Sequence, residues 1–173
     1  DKQRDQYRHP AETIAFFGIQ PGMTVVEVLP GKGWYTPLLV DKLGDKGVLH
    51  GANYADRMWP LFGFFDQEAI ENRKKLILEY GAKVSALGGR GDLYRGFTFE
   101  NVPSDLVGTV DFVFMARALH NLNRFEVDEQ TSTKALADIR NLLKSDGRVG
   151  VVQHRAPEAN DDAWASGSAG YLK

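Results

Sequence analysis

The sequence of 173 residues contains no cysteine. That excludes disulfides, thiolate zinc sites and a cysteine nucleophile together. It leaves the compartment open, since a cysteine-free chain suits either redox environment. No run of about 18 apolar residues occurs, so no segment reads as a transmembrane helix. Charge of one sign is not in excess either: 21 Lys and Arg face 23 Asp and Glu, for a net charge of −2. Non-specific capture of nucleic acid by a basic surface is therefore not expected. Internal repeats and low-complexity blocks are absent. The chain begins at Asp1, with no signal peptide to read, as expected of a fragment or of a chain whose leader has been removed.

The composition present is that of a globular domain: 43% hydrophobic, 25% charged, 11% aromatic. At this length a single domain buries a core without staples. We expect an N-terminal arm and helix over 1–22, a core over 23–155 and a small polar tail over 156–173. Residues 1–8 are polar and read as an extended surface segment. Pro10 suits a first helical turn, with Ile14 and Phe17 on one face and Gly18 as the stop. An apolar run rich in β-branched residues, 23–29, reads as a buried strand. After a glycine turn, Leu38, Leu39 and Leu43 recur at helical spacing up to Gly44.

Residues 48–54 read as a second strand. Asp66 is placed to cap a helix running to Tyr80, with Ala69, Ile70, Leu76, Ile77 and Tyr80 inward and Gly81 as its stop. Residues 82–87 read as a third strand and 88–109 as a long glycine-rich connection. Residues 110–116 (VDFVFMA) make a fourth strand, with Asp111 holding it through structural hydrogen bonds. An amphipathic helix over 133–144 puts Ala135, Leu136, Ile139, Leu142 and Leu143 inward, and 148–154 forms a fifth strand. Strands alternating with helices imply a doubly wound, mainly parallel α/β sheet. In such sheets ligands sit beyond the carboxyl ends of the strands, at the point where the winding reverses. That places the search between residues 30–35 and 116–121.

The turn Pro30-Gly31-Lys32-Gly33 leads that search. Two glycines admit a ligand close to the backbone, and the next helix offers free N–H groups. The dinucleotide pattern needs a third glycine, but Thr36 stands there behind a bulky Trp34-Tyr35 pair, which argues against NAD and FAD. No Gly-Lys-Ser/Thr follows, so this is not a phosphate-cradling P-loop. A tight packing turn is the alternative reading.

Val25-Val26-Glu27-Val28-Leu29-Pro30-Gly31-Lys32-Gly33 resembles motif I of the class I S-adenosylmethionine-dependent methyltransferases, an acidic residue on the first strand before a glycine turn. Tyr7-Arg8-His9-Pro10-Ala11-Glu12-Thr13, Gly33-Trp34-Tyr35-Thr36 and Val151-Val152-Gln153-His154-Arg155-Ala156-Pro157 resemble, more narrowly, a bacterial group of predicted methyltransferases. The resemblance covers nearly the whole chain. It implies a Rossmann-like sheet of order 3-2-1-4-5 and S-adenosyl-L-methionine as cofactor. Glu27 would orient the loop or meet the cofactor's amino-acid end. Pro30, Gly31, Gly33 and Tyr35 would border its methionine, and Asn53, ending the second strand, would meet the ribose. Two departures stand out: Leu29-Pro30 replaces the family's first loop glycine, and neutral Asn53 replaces the ribose-binding acid.

At the end of the fourth strand, His120 is the candidate general base, with His154 at the end of the fifth strand as second choice. Tyr7, His9, Arg117, Asn121 and Arg155 are the substrate candidates, forming a cationic mouth suited to an anionic or polar molecule. Each has a structural alternative, since a strand-end histidine also caps helices and a solvated rim is rich in such residues. His9, His120 and His154 are scattered without an i, i+4 pair, so no metal site is expected. The aromatic run 59–65 reads as packing rather than a lid. No G-x-S-x-G elbow supports hydrolysis.

The reading is methyl transfer to a small-molecule acceptor, with no nucleic-acid or membrane partner. The rival is a non-catalytic binding module on a degenerate methyltransferase fold, and a nicotinamide oxidoreductase is disfavoured by Thr36. The family fold continues past a fifth strand with a helix and an antiparallel hairpin. The sequence stops short of them, so we expect a truncated methyltransferase that keeps the cofactor turn but can lose substrate contacts and activity, and whose last strand is a bare edge covered by homodimerisation. An active methyltransferase would be cytoplasmic; an export signal in a missing N-terminus would make it periplasmic.

Overall fold

A computed structural model describes residues 5–89, 93–161, 164–165 and 170–173. The first four residues of the arm, three of the glycine-rich connection and most of 162–169 in the tail lie outside the described residues. Helix α1 (Asp5–Arg8) corrects the expected extended arm. Helix α2 (Pro10–Phe16) starts on its proline, and Gly18 ends it at φ 67°. Strand β1 (Thr24–Val28) leads through the glycine turn into α3 (Thr36–Leu43), which buries Leu39, Val40 and Leu43. Strand β2 (Val48–Asn53) follows.

After α4 (Met58–Leu61), Asp66 caps α5 (Gln67–Leu78) by accepting the Ala69 N–H at 2.8 Å. Ile70 and Ile77 face inward, but Leu76 is exposed. Gly81 does not stop the helical run: α6 (Tyr80–Ser85) occupies the place of the expected strand 82–87, anchored by buried Tyr80 and Val84. The third strand is instead β3 (Gly96–Thr98), inside the expected loop. A Cβ on Gly96 would overlap the Ile77 carbonyl oxygen. The glycine that disguises this segment as a loop is what lets it dock.

Strand β4 (Val110–Ala116) matches expectation. Asp111 accepts the Thr24 N–H at 2.8 Å and pairs with Lys144 at 2.5 Å, a structural role. Short helices α7 (Leu119–Leu122) and α8 (Glu126–Glu129) precede α9 (Thr131–Leu142). Helix α9 ends earlier than expected because Leu143 already belongs to β5 (Leu143–Val152). Leu136 faces out rather than in. The tail folds back, so that β6 (His154–Arg155) pairs in parallel with β7 (Tyr171–Leu172).

The main sheet is parallel throughout, with order β3-β2-β1-β4-β5. Successive residues of a strand point to opposite faces, so each of the two central strands feeds two cores. Val26, Val28, Val113 and Met115 pack with Leu122, Ile139 and Leu142. Val25, Phe112 and Phe114 pack with Leu39, Leu43 and Tyr80. Among the described residues no strand lies beyond β5, whose Val149 and Val151 are about 40% exposed. No helix among them is long and apolar enough to cross a membrane.

Candidate functional site

The winding reverses between β1 and β4, and the backbone opens there. Leu29, directly after β1, takes φ 50°; Arg117, directly after β4, takes φ 55°. Each keeps one hydrogen bond to its outer neighbour, Leu29 N–H to Ala52 O at 2.8 Å and Arg117 N–H to Val152 O at 2.7 Å. Left-handed backbone costs a branched or long side chain about 1 kcal/mol. Such strain is common at binding sites.

Two clefts flank this opening. The first, about 580 Å³, is bordered by Tyr7 and Arg8 of the arm, Glu27, Trp34 and Tyr35 near the glycine turn, and Gln153 and His154 beyond β5. The second, about 810 Å³, is bordered by Gly31, Lys32, Asn53, Tyr54, Trp59 and Lys83. Leu29, Pro30 and Arg117 border both. The clefts are thus two halves of one crevice, pinched between the glycine turn and Arg117.

Glu27 forms the floor of the first cleft. Its Oε2 accepts from the Thr36 hydroxyl at 2.7 Å and from the Tyr80 hydroxyl at 3.1 Å. Burial raises its pKa from 4.5 to about 7, against those two hydrogen bonds and the Lys83 charge, which lower it. Arg8 stacks on the Trp34 ring, 4.5 Å from its centroid. Trp34 meets Tyr35 edge-on at 4.6 Å, and Tyr35 meets Phe114 at 4.8 Å. Burial also raises the Tyr35 pKa.

In the second cleft, Asn53 Oδ1 accepts the Tyr54 N–H at 2.9 Å, which leaves its amide NH2 to donate. Trp59 is buried, packed between Tyr54 at 5.0 Å and Phe65 at 5.6 Å. Its indole N–H has no hydrogen-bond partner. A buried donor left unpaired costs about 1–3 kcal/mol. The aromatic run is packing, as expected, and it also walls the cleft.

The structure brings Glu27, Pro30, Tyr35, Tyr7, Arg117 and His154 onto the first cleft, and Gly31, Asn53 and Asn121 onto the second. Gly33 borders neither; at φ 78° it packs beneath Lys83 and Thr36. His9 is exposed, 3.6 Å from Glu12, and Arg155 turns to Glu158 at 3.5 Å. His120 also borders neither cleft. Its Nδ1 lies 3.1 Å from Gln153 Oε1, and Gly170 packs against its Nε2 side. Burial lowers its pKa, against the raising effect of the Gln153 hydrogen bond. Lys83, Tyr80, Trp59 and Gln153 were not legible as site residues. Nothing in their sequence neighbourhoods distinguishes them from surface or core positions. Among the described residues, no three acidic or histidine side chains are grouped to hold a metal ion.

A parallel sheet of order 3-2-1-4-5 with a glycine turn after its first strand defines an open Rossmann-like fold with its crevice at the reversal point. The sequence matches no family model and no curated protein. The fold is that of a SAM-dependent methyltransferase from Aquifex aeolicus, with a TM-score of 0.60 and 24% identity over 93% of this chain and 72% of that one. The YcgJ protein of Bacillus subtilis gives a TM-score of 0.53 and 18% identity over 88% of this chain and 53% of that one. The [4+2]-cyclase SpnF gives 0.53 and 14% over 89% and 47%. The chain spans about half the length of the latter two. One fold carries different chemistries, so function must be argued from the crevice.

Proposed function

We propose that the chain binds S-adenosyl-L-methionine and transfers a methyl group to a small-molecule acceptor. The observation that carries this reading is the division of the crevice. One half is lined by a cation and a carboxyl group, Arg8 and Glu27; the other is lined by an amide, Asn53, and the aromatic side chains Tyr54, Trp59 and Phe65. An amino-acid zwitterion needs the first pair, with its carboxylate on Arg8 and its ammonium on Glu27. A nucleoside needs the second, with ribose hydroxyls on Asn53 and its base against the aromatic wall of Tyr54, Trp59 and Phe65. The residues therefore fit the cofactor, and the glycine turn lets the linking atoms pass close to the backbone. Bound there, the cofactor supplies an electrophilic methyl group on a sulfonium. The chain's own part is to align the acceptor and exclude water, with Trp34, Tyr35 and Phe114 as the apolar wall. His154 is the histidine available on the cleft as a base.

Calorimetric titration with S-adenosylhomocysteine, alongside NADH, tests this. The expected result is micromolar binding of the first alone, weakened about tenfold in Glu27→Gln by loss of one charge-assisted contact. No binding at millimolar ligand refutes it.

One observation favours a second reading, a binding module without catalysis. Leu29, at φ 50°, places a large side chain at the pinch between the two halves, where the family has glycine. Binding of S-adenosylhomocysteine with no methyl transfer to any of a panel of small acceptors would select it.

A further inference from the structure

We infer that the acceptor is a small aromatic carboxylic acid, bound as its anion by Arg117. This rests on the proposed methyl transfer, with the acceptor entering the first cleft beside the cofactor's amino-acid end. The polar groups at the β4–β5 end of that cleft are few, and most are already engaged. Gln153 Nε2 donates to Gly170 O at 2.8 Å, and its Oε1 faces His120 Nδ1 at 3.1 Å. His120 is shielded by Gly170. Arg8, on α1, is stacked on Trp34.

Arg117 remains. It has no carboxylate partner among the described residues, and it borders both halves of the crevice. Its position is set rather than loose. The backbone is held left-handed by the bond to Val152 O, and the guanidinium lies against Gly170, where an added Cβ would sit 3.2 Å from Nη2. His154 borders the same cleft, its ring 5.5 Å from Tyr171. One fixed guanidinium offers a planar fork of donors that matches a single carboxylate. The rest of the wall, Trp34, Tyr35, Phe114 and Leu29, is mainly aromatic and apolar, its rings meeting edge-on at 87° and 64°, which suits contact with an aromatic body. A neutral acceptor would leave the guanidinium unpaired.

The test is calorimetric titration at pH 7 with 4-hydroxybenzoate and with 4-hydroxybenzyl alcohol, each with and without saturating S-adenosylhomocysteine. The acid is expected to bind at least about tenfold more tightly than the alcohol, the value of one charge-assisted pair. Arg117→Gln should abolish that preference while its circular dichroism stays that of the parent. Arg140→Gln, at an exposed position of α9, should keep it. Equal binding of acid and alcohol, a preference that survives Arg117→Gln, or no binding of either would overturn the inference. If the acid binds through Arg117 while S-adenosylhomocysteine does not bind, the carboxylate site stands and the methyl-transfer reading falls.

Discussion

Replacing Glu27 by Gln should change how stability depends on pH more than it changes stability at any one pH. Burial holds the Glu27 pKa at about 7 instead of 4.5, so the folded chain keeps a proton that the unfolded chain releases. Between those two pH values the native state binds more protons, and stability therefore falls as pH rises. A shift of that size corresponds to about 3 kcal/mol, complete above pH 7. His50 acts in the opposite sense. It is buried, its Nδ1 accepts the Arg95 N–H at 3.2 Å, and burial lowers its pKa from 6.5 to about 4. The unfolded chain then binds the extra proton, so its contribution grows with rising pH by a similar amount, about 3 kcal/mol.

The two windows overlap, so the parent should show a nearly flat profile from pH 4.5 to 6.5. Gln keeps the oxygen that accepts from Thr36 and Tyr80 but cannot titrate. The variant should therefore reveal the His50 rise. The stability of the parent minus that of the variant, from urea unfolding at pH 4.5, 5.5, 6.5 and 8, should drop by about 3 kcal/mol across the series, with other groups cancelling. A difference that is constant with pH would refute the burial argument for Glu27.

Thr36→Val removes the 2.7 Å donor to the same carboxylate; it should cost about 1–3 kcal/mol at pH 8 and less at pH 5, where Glu27 is protonated, by urea unfolding. Leu29→Gly relieves a left-handed leucine and widens the pinch. Calorimetry should show tighter S-adenosylhomocysteine binding, with a stability change within about 1 kcal/mol as lost packing offsets relieved strain. Gly96→Ala drives a methyl group into the Ile77 carbonyl; thermal unfolding should show a loss of about 1–3 kcal/mol or more, whereas Gly63→Ala, with open space and only its left-handed φ of 73° to oppose a side chain, should lose about 1 kcal/mol.

The elements that were legible in the sequence are those whose signal is local. The β-branched and aromatic runs at 24–28 and 110–116 leave no choice but buried strands, and Asp66 announces the start of α5 by its capping chemistry. The glycine turn located the crevice for the same reason. What stayed hidden depends on tertiary contacts. Strand β3 has three residues and opens on a glycine chosen for its approach to α5. Helix α6 continues through Gly81 because Tyr80 and Val84 bury against the sheet. His120 and His154 look equivalent in sequence, each just past a strand. Only the position of Gln153 and the returning tail separates one that is enclosed from one on the cleft.

The paired left-handed residues Leu29 and Arg117 have a consequence for how such a protein evolves. Adjacent strands part because each chain turns outward while holding its bond to the far neighbour, so the crevice is drawn by the main chain. Side chains decorate the opening without creating it. Substitutions along its walls can therefore accumulate, altering what is recognised, while the opening itself persists. A lineage built this way can drift from one ligand to another, or from turnover to simple retention, without passing through an unfolded intermediate in its history.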